Sequence, residues 1–485
     1  MKKEVMTIFL FFITYSLYGC RLLTLEGAVE VYALRTKAAQ IGLLRLKNES
    51  LSYINYKQSF LPAFYFNAEL FDFNHSLRLL QNAMDGNYFN IEDFSGSSSI
   101  ELSIQQKVFH TGGSLSLNSG HSFLREYSAN RNNFISMPFY VSYTQPFWGG
   151  RRLNMIERRI NEWKYKSSLT NYCSAISLIQ QEVLHLYLTS FLSLLEKEQT
   201  YSDVQISDTL FQIARFKYEK GYITEFDLNQ IELQFLNSKY LYENALSLYG
   251  ENIRKLSASL NINEEINIDR PDRDKLPHYL DEDIVGWIIE RNNPLYVNNF
   301  VRREQAEYDL FKKNLETRFN GSFSVNYGLN QYAETFKGAF MNPNSQQNVA
   351  ISLSIPIFQW GINRNKREMA RNEYEMALLE IEKSEESLIN EKCNCIYDYN
   401  CSVRACEITE RTYILSRKQY HLAVQKFAMG KISVYELTSM KQNQYTAMQQ
   451  YYDVLRDLYV NYYKLRHLTL YDFVRMKPLR EVFAI

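Results

Sequence analysis

Apolar positions along this chain follow two periods, and the change between them comes at similar places in each half. Ile176, Ile179, Val183 and Leu186 recur at the three-four-three spacing of a helical seam. Leu184, Leu188, Phe191 and Leu195 form a second seam about 100° round the same helix. A helix with two apolar seams packs against neighbours on both sides, which suits the wall of a cylinder better than a simple pair. The same style returns over residues 369–420. Elsewhere the pattern alternates as strands do, over 61–73 and in YVSYTQPFWGGRRLN from Tyr140, then over 319–329 and in ISLSIPIFQWGINRN from Ile351. A helical lead-in precedes each strand pair, TLEGAVEVYALRT from Thr24 and DEDIVGWIIERNN from Asp281.

Proline positions set the lengths. None of the nine prolines falls between residues 147 and 270, or between 357 and 477. Helix interiors exclude proline, which lacks the donor and clashes with the preceding turn, so both stretches read as very long helices. Each is interrupted once, by FKYEKGYITEFDL from Phe216 and by QKFAMGKISVYEL from Gln425. Lys217, Tyr218, Gly221, Ile223, Thr224, Phe226, Asp227 and Leu228 match Lys426, Phe427, Gly430, Ile432, Ser433, Tyr435, Glu436 and Leu437 in order. The glycine takes a left-handed cap and Thr224 or Ser433 starts the next helix, so each break is a tight turn between antiparallel helices. A helix over 150–218 would rise roughly 100 Å.

The chain is therefore a tandem duplication, each half running helix, strand, strand, long helix, turn, long helix. The first repeat covers 20–260 and the second 280–476, with a polar linker at 261–279 and a tail at 477–485. The first repeat has one element without a counterpart, SSSIELSIQQKVF and GGSLSLNSGHSF, an added hairpin over about 97–123 turning at His110 to Gly113. Whether it widens a sheet or stands clear of it is open at this level.

Compartment follows from the first 20 residues. Two lysines precede an apolar run over 5–17, too short to span a bilayer and shaped like a secretory signal at 1–19. No other window approaches 18 continuous apolar residues, so a membrane-spanning form of the mature chain has to be a β-barrel. Cys20 closes a loose lipoprotein box, Leu17-Tyr18-Gly19-Cys20, and either lipidation there or ordinary cleavage after Gly19 fits.

Charge and chemistry narrow the function classes. Lys plus Arg and Asp plus Glu are both 54, which leaves no basic footprint for nucleic acid. Cys393, Cys395, Cys401 and Cys406 look like a metal cluster until placed on a helix, where only Cys395 and Cys406 share a face, about 16 Å apart along the axis. They read as small packing residues. His185 and His421 stand singly within helices, and the glycine pairs at Gly112 and Gly149 sit in a turn and at a helix start, without a phosphate-loop pattern. No enzyme, metal or cofactor is expected.

This order of elements resembles the TolC family of outer-membrane efflux proteins, over about 24–471. The pieces that carry the likeness are LTLEGAVE, the Pro-aromatic-Gly-Gly-Arg helix start at Pro146, and the two turns around Gly221 and Gly430. The resemblance implies a mainly α protein with membrane strands. Three chains giving four strands each would close a 12-stranded β-barrel, and their helical hairpins would form a periplasmic tunnel. It implies a homotrimer in outer-membrane lipid, met at its helix tips (Gly221, Gly430 and Tyr218) by a periplasmic adaptor serving an inner-membrane pump. It also implies a constriction past each turn, matched here by Asp227 and Glu436. Phe427, Ile432 and Ser439 stand where a family member's latch has Tyr, Arg and a second Asp, which shifts the expected closure toward apolar packing. A plainer reading makes Asp227 and Glu436 first-turn acids favoured by the helix dipole. Efflux and protein secretion share such a duct, and a non-channel periplasmic coiled coil is the competing structural class.

Overall fold

A computed structural model describes residues 21–483 apart from 82–87, 263 and 430, so the expectations for the signal and for Cys20 lie outside the described residues. In chain order the elements begin with β1 (Arg21–Leu23), α1 (Lys37–Gln58), β2 (Ala63–Gln81), β3 (Tyr88–Val108), β4 (Gly113–Glu126) and β5 (Arg131–Pro146). Helices α2 (Gly150–Glu219) and α3 (Glu225–Leu260) follow, then β6 (Ile266–Ile268), α4 (Glu282–Asn292) and α5 (Pro294–Glu316). The second half continues with β7 (Asn320–Ala333), β8 (Asn344–Ser354), α6 (Ile362–Ala428) and α7 (Val434–Thr469). The chain ends on β9 (Tyr471–Asp472), β10 (Lys477–Pro478) and α8 (Leu479–Val482). The proline-free stretches are thus the helices α2 and α6, of 70 and 67 residues, each followed by one of 36. Among the described residues no helix is long and apolar enough to cross a membrane.

Two compact units result, each drawing on both halves of the chain. One comprises residues up to 46, 169–294 and 386 onward, and the other 47–168 and 295–385. In the first unit β1 and β6 pair in parallel, so the linker contributes a strand. Tyr187 of α2, fully buried, fixes this pair with its hydroxyl 3.0 Å from the Leu23 carbonyl and 2.8 Å from that of Asp269. Val183, Leu184, Leu188 and Phe191 are buried on the same stretch, so the seams read from the sequence do face core. The tail is anchored too, because Leu479 packs with Cys173 and Leu470.

The first lead-in is helical without a break over 25–35, wound as a π turn at Gly27–Tyr32 and a 3-10 turn at Ala33–Arg35. It ends at Thr36, which is extended at ψ 153° and whose Oγ1 accepts from the Ala39 amide at 3.2 Å, capping the further helix α1.

The second unit holds a six-stranded antiparallel sheet in the order β2-β3-β4-β5-β7-β8. These are the four strands expected of the barrel and the two of the added hairpin, whose placement the sequence left open. The added hairpin is β3 and β4, and it lies inside the sheet because its register leaves no gap: Phe64 faces Ile104, Ile104 faces Leu117, and Leu117 faces Val141. The junctions to the long helices repeat faithfully. Gly149 and Gly361 both take positive φ, 79° and 82°, just before α2 and α6.

Candidate constriction at the helix turns

Both turns belong to the first unit. The end of α2 closes as a Schellman motif, in which the Gly221 amide donates to the Tyr218 carbonyl at 2.8 Å and the Tyr222 amide to Lys217 at 2.8 Å. Gly221 supplies the φ of 76° that this needs. At the end of α6 the Lys431 amide donates to the Lys426 carbonyl at 2.9 Å, the same six-to-one bond. Gly430 itself and the side chain of Phe427 lie outside the described residues.

Helices α3 and α7 then start on matched capping boxes. The Asp227 amide donates to Thr224 Oγ1 at 3.2 Å, and the Thr224 amide returns to Asp227 Oδ2 at 3.1 Å. The Glu436 amide donates to Ser433 Oγ at 3.2 Å, and the Ser433 amide to Glu436 Oε2 at 2.8 Å. Each carboxylate therefore satisfies a backbone donor that the helix start would leave orphaned. Both remain exposed. Hydrogen bonds from the Thr224 hydroxyl and then its amide hold the Asp227 carboxyl below its usual range, so it stays charged well into acid. The geometry accommodates the cap and leaves the outward oxygen free, so the two readings of these acids are compatible.

The turns also share a groove of about 680 Å³, lined by Ile213 and Lys217 of α2, Asp227 and Ile231 of α3, and Tyr435 and Thr438 of α7. It brings Asp227 beside the residue preceding Glu436. Ile432 and Ser439 are half-buried, and Tyr218 is exposed. The sequence reading missed the weight of Phe226 and Tyr435, which are 76% and 83% exposed at matching positions next to the two caps. The signal was present, since an aromatic recurs there in both repeats where the apolar seams do not require one. Below the tips, Lys441 of α7 meets Asp203 of α2 at 3.1 Å, largely out of water.

Caps of this kind are worth about 1 kcal/mol each. Thr224→Ala should speed amide exchange at the start of α3 alone, and Ser433→Ala at the start of α7 alone. The double variant should show the sum, which hydrogen-exchange mass spectrometry reads directly.

Comparison with known proteins gives a part-chain family match and a fold. The model of the family described as outer membrane efflux protein matches residues 301–469. The second half of the chain thus carries the sequence pattern of that family. No curated protein matches the sequence. The fold is similar to that of the Campylobacter jejuni CmeC outer membrane channel, at TM-score 0.65 and 12% identity over 92% of this chain and 85% of that one. Comparable likeness extends to the Vibrio cholerae outer membrane protein VceC (0.60, 12%, 92% and 95%) and the Neisseria gonorrhoeae MtrE channel in its open state (0.59, 14%, 92% and 88%). The chain accordingly has the TolC-like fold, with long helical hairpins and an antiparallel sheet.

Proposed function

We propose that this protein is the passive exit duct of a tripartite efflux system, assembled as a homotrimer and serving an inner-membrane pump through a periplasmic adaptor. The observation that carries this reading is the sheet, whose register sorts side chains by polarity over most of its width, the apolar row giving way to Gln347 on β8. Phe64, Ile104, Leu117, Val141 and Tyr327 form one row, while Gln105, Ser116, Ser142, Asn326 and Asn348 form the next row on the opposite face. One apolar face for lipid and one polar face for a lumen is what a channel wall requires. A non-channel coiled coil would leave such a sheet without a role. The exposed aromatics Phe226 and Tyr435, with Tyr218 and Gly221 nearby, offer the adaptor an apolar surface at the tips. Three copies each of Asp227 and Glu436 would ring the entrance with negative charge and favour cations. No catalytic step is assigned.

Asp227→Asn with Glu436→Gln separates the two roles of the acids, because each amide keeps an acceptor oxygen for the cap while removing the charge. In planar bilayers the double variant should lose several-fold in cation-over-anion permeability, with the helix starts still protected from exchange. Unchanged selectivity would make the carboxylates caps only and sink the charged constriction.

A further inference from the structure

We infer that the mature protein closes an eighteen-stranded barrel, six strands from each of three copies, with the β8 edge of one copy paired to the β2 edge of the next. The inference rests on the trimeric channel reading above and departs from the four strands per chain expected at first.

The strand count comes from the register. Strand β3 pairs with β2 from Gln105 opposite Ala63 to Tyr88 opposite Gln81, and β4 pairs with β5 from Ser114 opposite Thr144 to Glu126 opposite Arg131. The added hairpin is therefore wall along its length. Its first strand also keeps the wall's chemistry, since Ile100, Leu102 and Ile104 continue the apolar face of Phe64, Phe66 and Ala68, while Ser99, Glu101 and Ser103 continue the polar face of Tyr65, Asn67 and Glu69; on β4 that apolar face continues at Leu117 and gives way to Ser119 and His121. An element that stood clear of lipid would have no reason to alternate in step with its neighbours.

Six strands cannot close alone, because single-chain membrane barrels begin at about eight. Nor can the sheet stay open, because the unpaired donors and acceptors along β2 and β8 have no water to bond within a bilayer. The occupant of each edge is a second copy of this chain. Every neighbouring pair in the sheet is antiparallel, so with six strands β8 runs opposite to β2, and a β8-to-β2 contact between copies continues the alternation without a fault.

The added hairpin sets the width. Strands about 4.8 Å apart and tilted about 40° give a backbone diameter of about 36 Å for eighteen, against about 24 Å for twelve. The long helices number four per chain either way. The outlet through the membrane is then about twice the cross-section of a twelve-stranded one, so any constriction falls on the helical part, not on the barrel.

Cryo-electron microscopy of the full-length protein in nanodiscs tests this by counting strands. A three-fold particle with eighteen strands and a barrel about 36 Å across is expected. A three-fold particle with twelve strands and a detached hairpin overturns the inference and leaves the channel reading standing. A dimer closing twelve strands, or no membrane particle, overturns both. Replacing residues 82–130 by a short turn leaves β2 beside β5, already antiparallel, and should shrink the barrel to about two-thirds of its diameter. Should that deletion not fold, Asn67→Cys with Glu101→Cys reads the same point in the intact chain. These positions face each other across β2 and β3, so an intrachain disulfide is expected in membrane-extracted protein, and its absence there overturns the placement.

Discussion

Arg466→Ala should destabilise the protein by about 3–5 kcal/mol, because it removes one partner from a buried charge cluster and strands the others. Arg466 is 1% exposed near the end of α7. Its Nη1 donates to Gln180 Oε1 at 3.1 Å, and its Nη2 lies 3.1 Å from Asp472 Oδ2, an ion pair without hydrogen-bond alignment. Asp472 also accepts from the Tyr462 hydroxyl at 3.1 Å and from the amides of Val474 and Arg475 at 3.0 and 3.1 Å. Glu30 completes the group, 3.9 Å from Arg466 and bonded to Arg475. Burial raises the Glu30 carboxyl above its ordinary value, with Arg466 the leading influence in the opposite direction. A carboxyl raised in the folded state makes stability fall as pH rises from its ordinary value of 4.5 through its folded value. Without Arg466 that window extends upward, so the deficit of Arg466→Ala should be larger at neutral pH than at pH about 5. Thermal unfolding followed by circular dichroism at the two pH values reads both effects. Arg466→Met with Asp472→Asn should cost less than Arg466→Ala alone, since asparagine keeps an acceptor and no charge is left unbalanced. Equal losses would show that the cluster matters as packing and not as charge.

What the sequence disclosed, and what it withheld, follows the range of the interactions involved. The turns at Gly221 and Gly430, the caps at Thr224 and Ser433 and the strand character of the added hairpin are set within about six residues, and duplication printed most of them twice. The placement of that hairpin inside the sheet was not legible. Alternation tells which face a residue takes but not which strand lies beside it. The lead-in helix was legible up to Thr36, whereas the further helix that Thr36 caps at Lys37 was not. Arg466 looked like an ordinary basic residue in the last turn of a helix. Its partners Gln180 and Glu30 come from the other half of the chain, so nothing near it marked it as buried. Asp227 was legible both as a cap and as a constriction acid, and the structure shows one oxygen serving the cap while the group stays exposed to solvent.

Gly112→Ala should cost about 2–5 kcal/mol, combining the strain of a left-handed non-glycine residue with overpacking against backbone. Gly112 sits in the turn between β3 and β4 at φ 74°, and an added Cβ would lie 2.4 Å from the Cα and carbonyl carbon of Gly150. The turn cannot swing away cheaply. Asn154 Nδ2 donates to the Phe109 carbonyl at 3.0 Å, Gln145 Nε2 donates to the Thr111 carbonyl at 2.7 Å, and Thr111 bonds the Tyr143 hydroxyl at 3.1 Å. These bonds hold the hairpin turn against the start of α2, where wall strand gives way to long helix. Gly221→Ala is the matched control, for Gly221 has nearly the same φ, 76°, and nothing within 4 Å of an added Cβ. It should lose only the backbone part, about 1–2 kcal/mol. Thermal unfolding of the two variants in detergent separates the contributions, with Gly112→Ala melting clearly lower than Gly221→Ala. Equal melting would mean that the turn does not press on α2 in the folded protein, and that the added hairpin is held to the wall by its strand pairing alone.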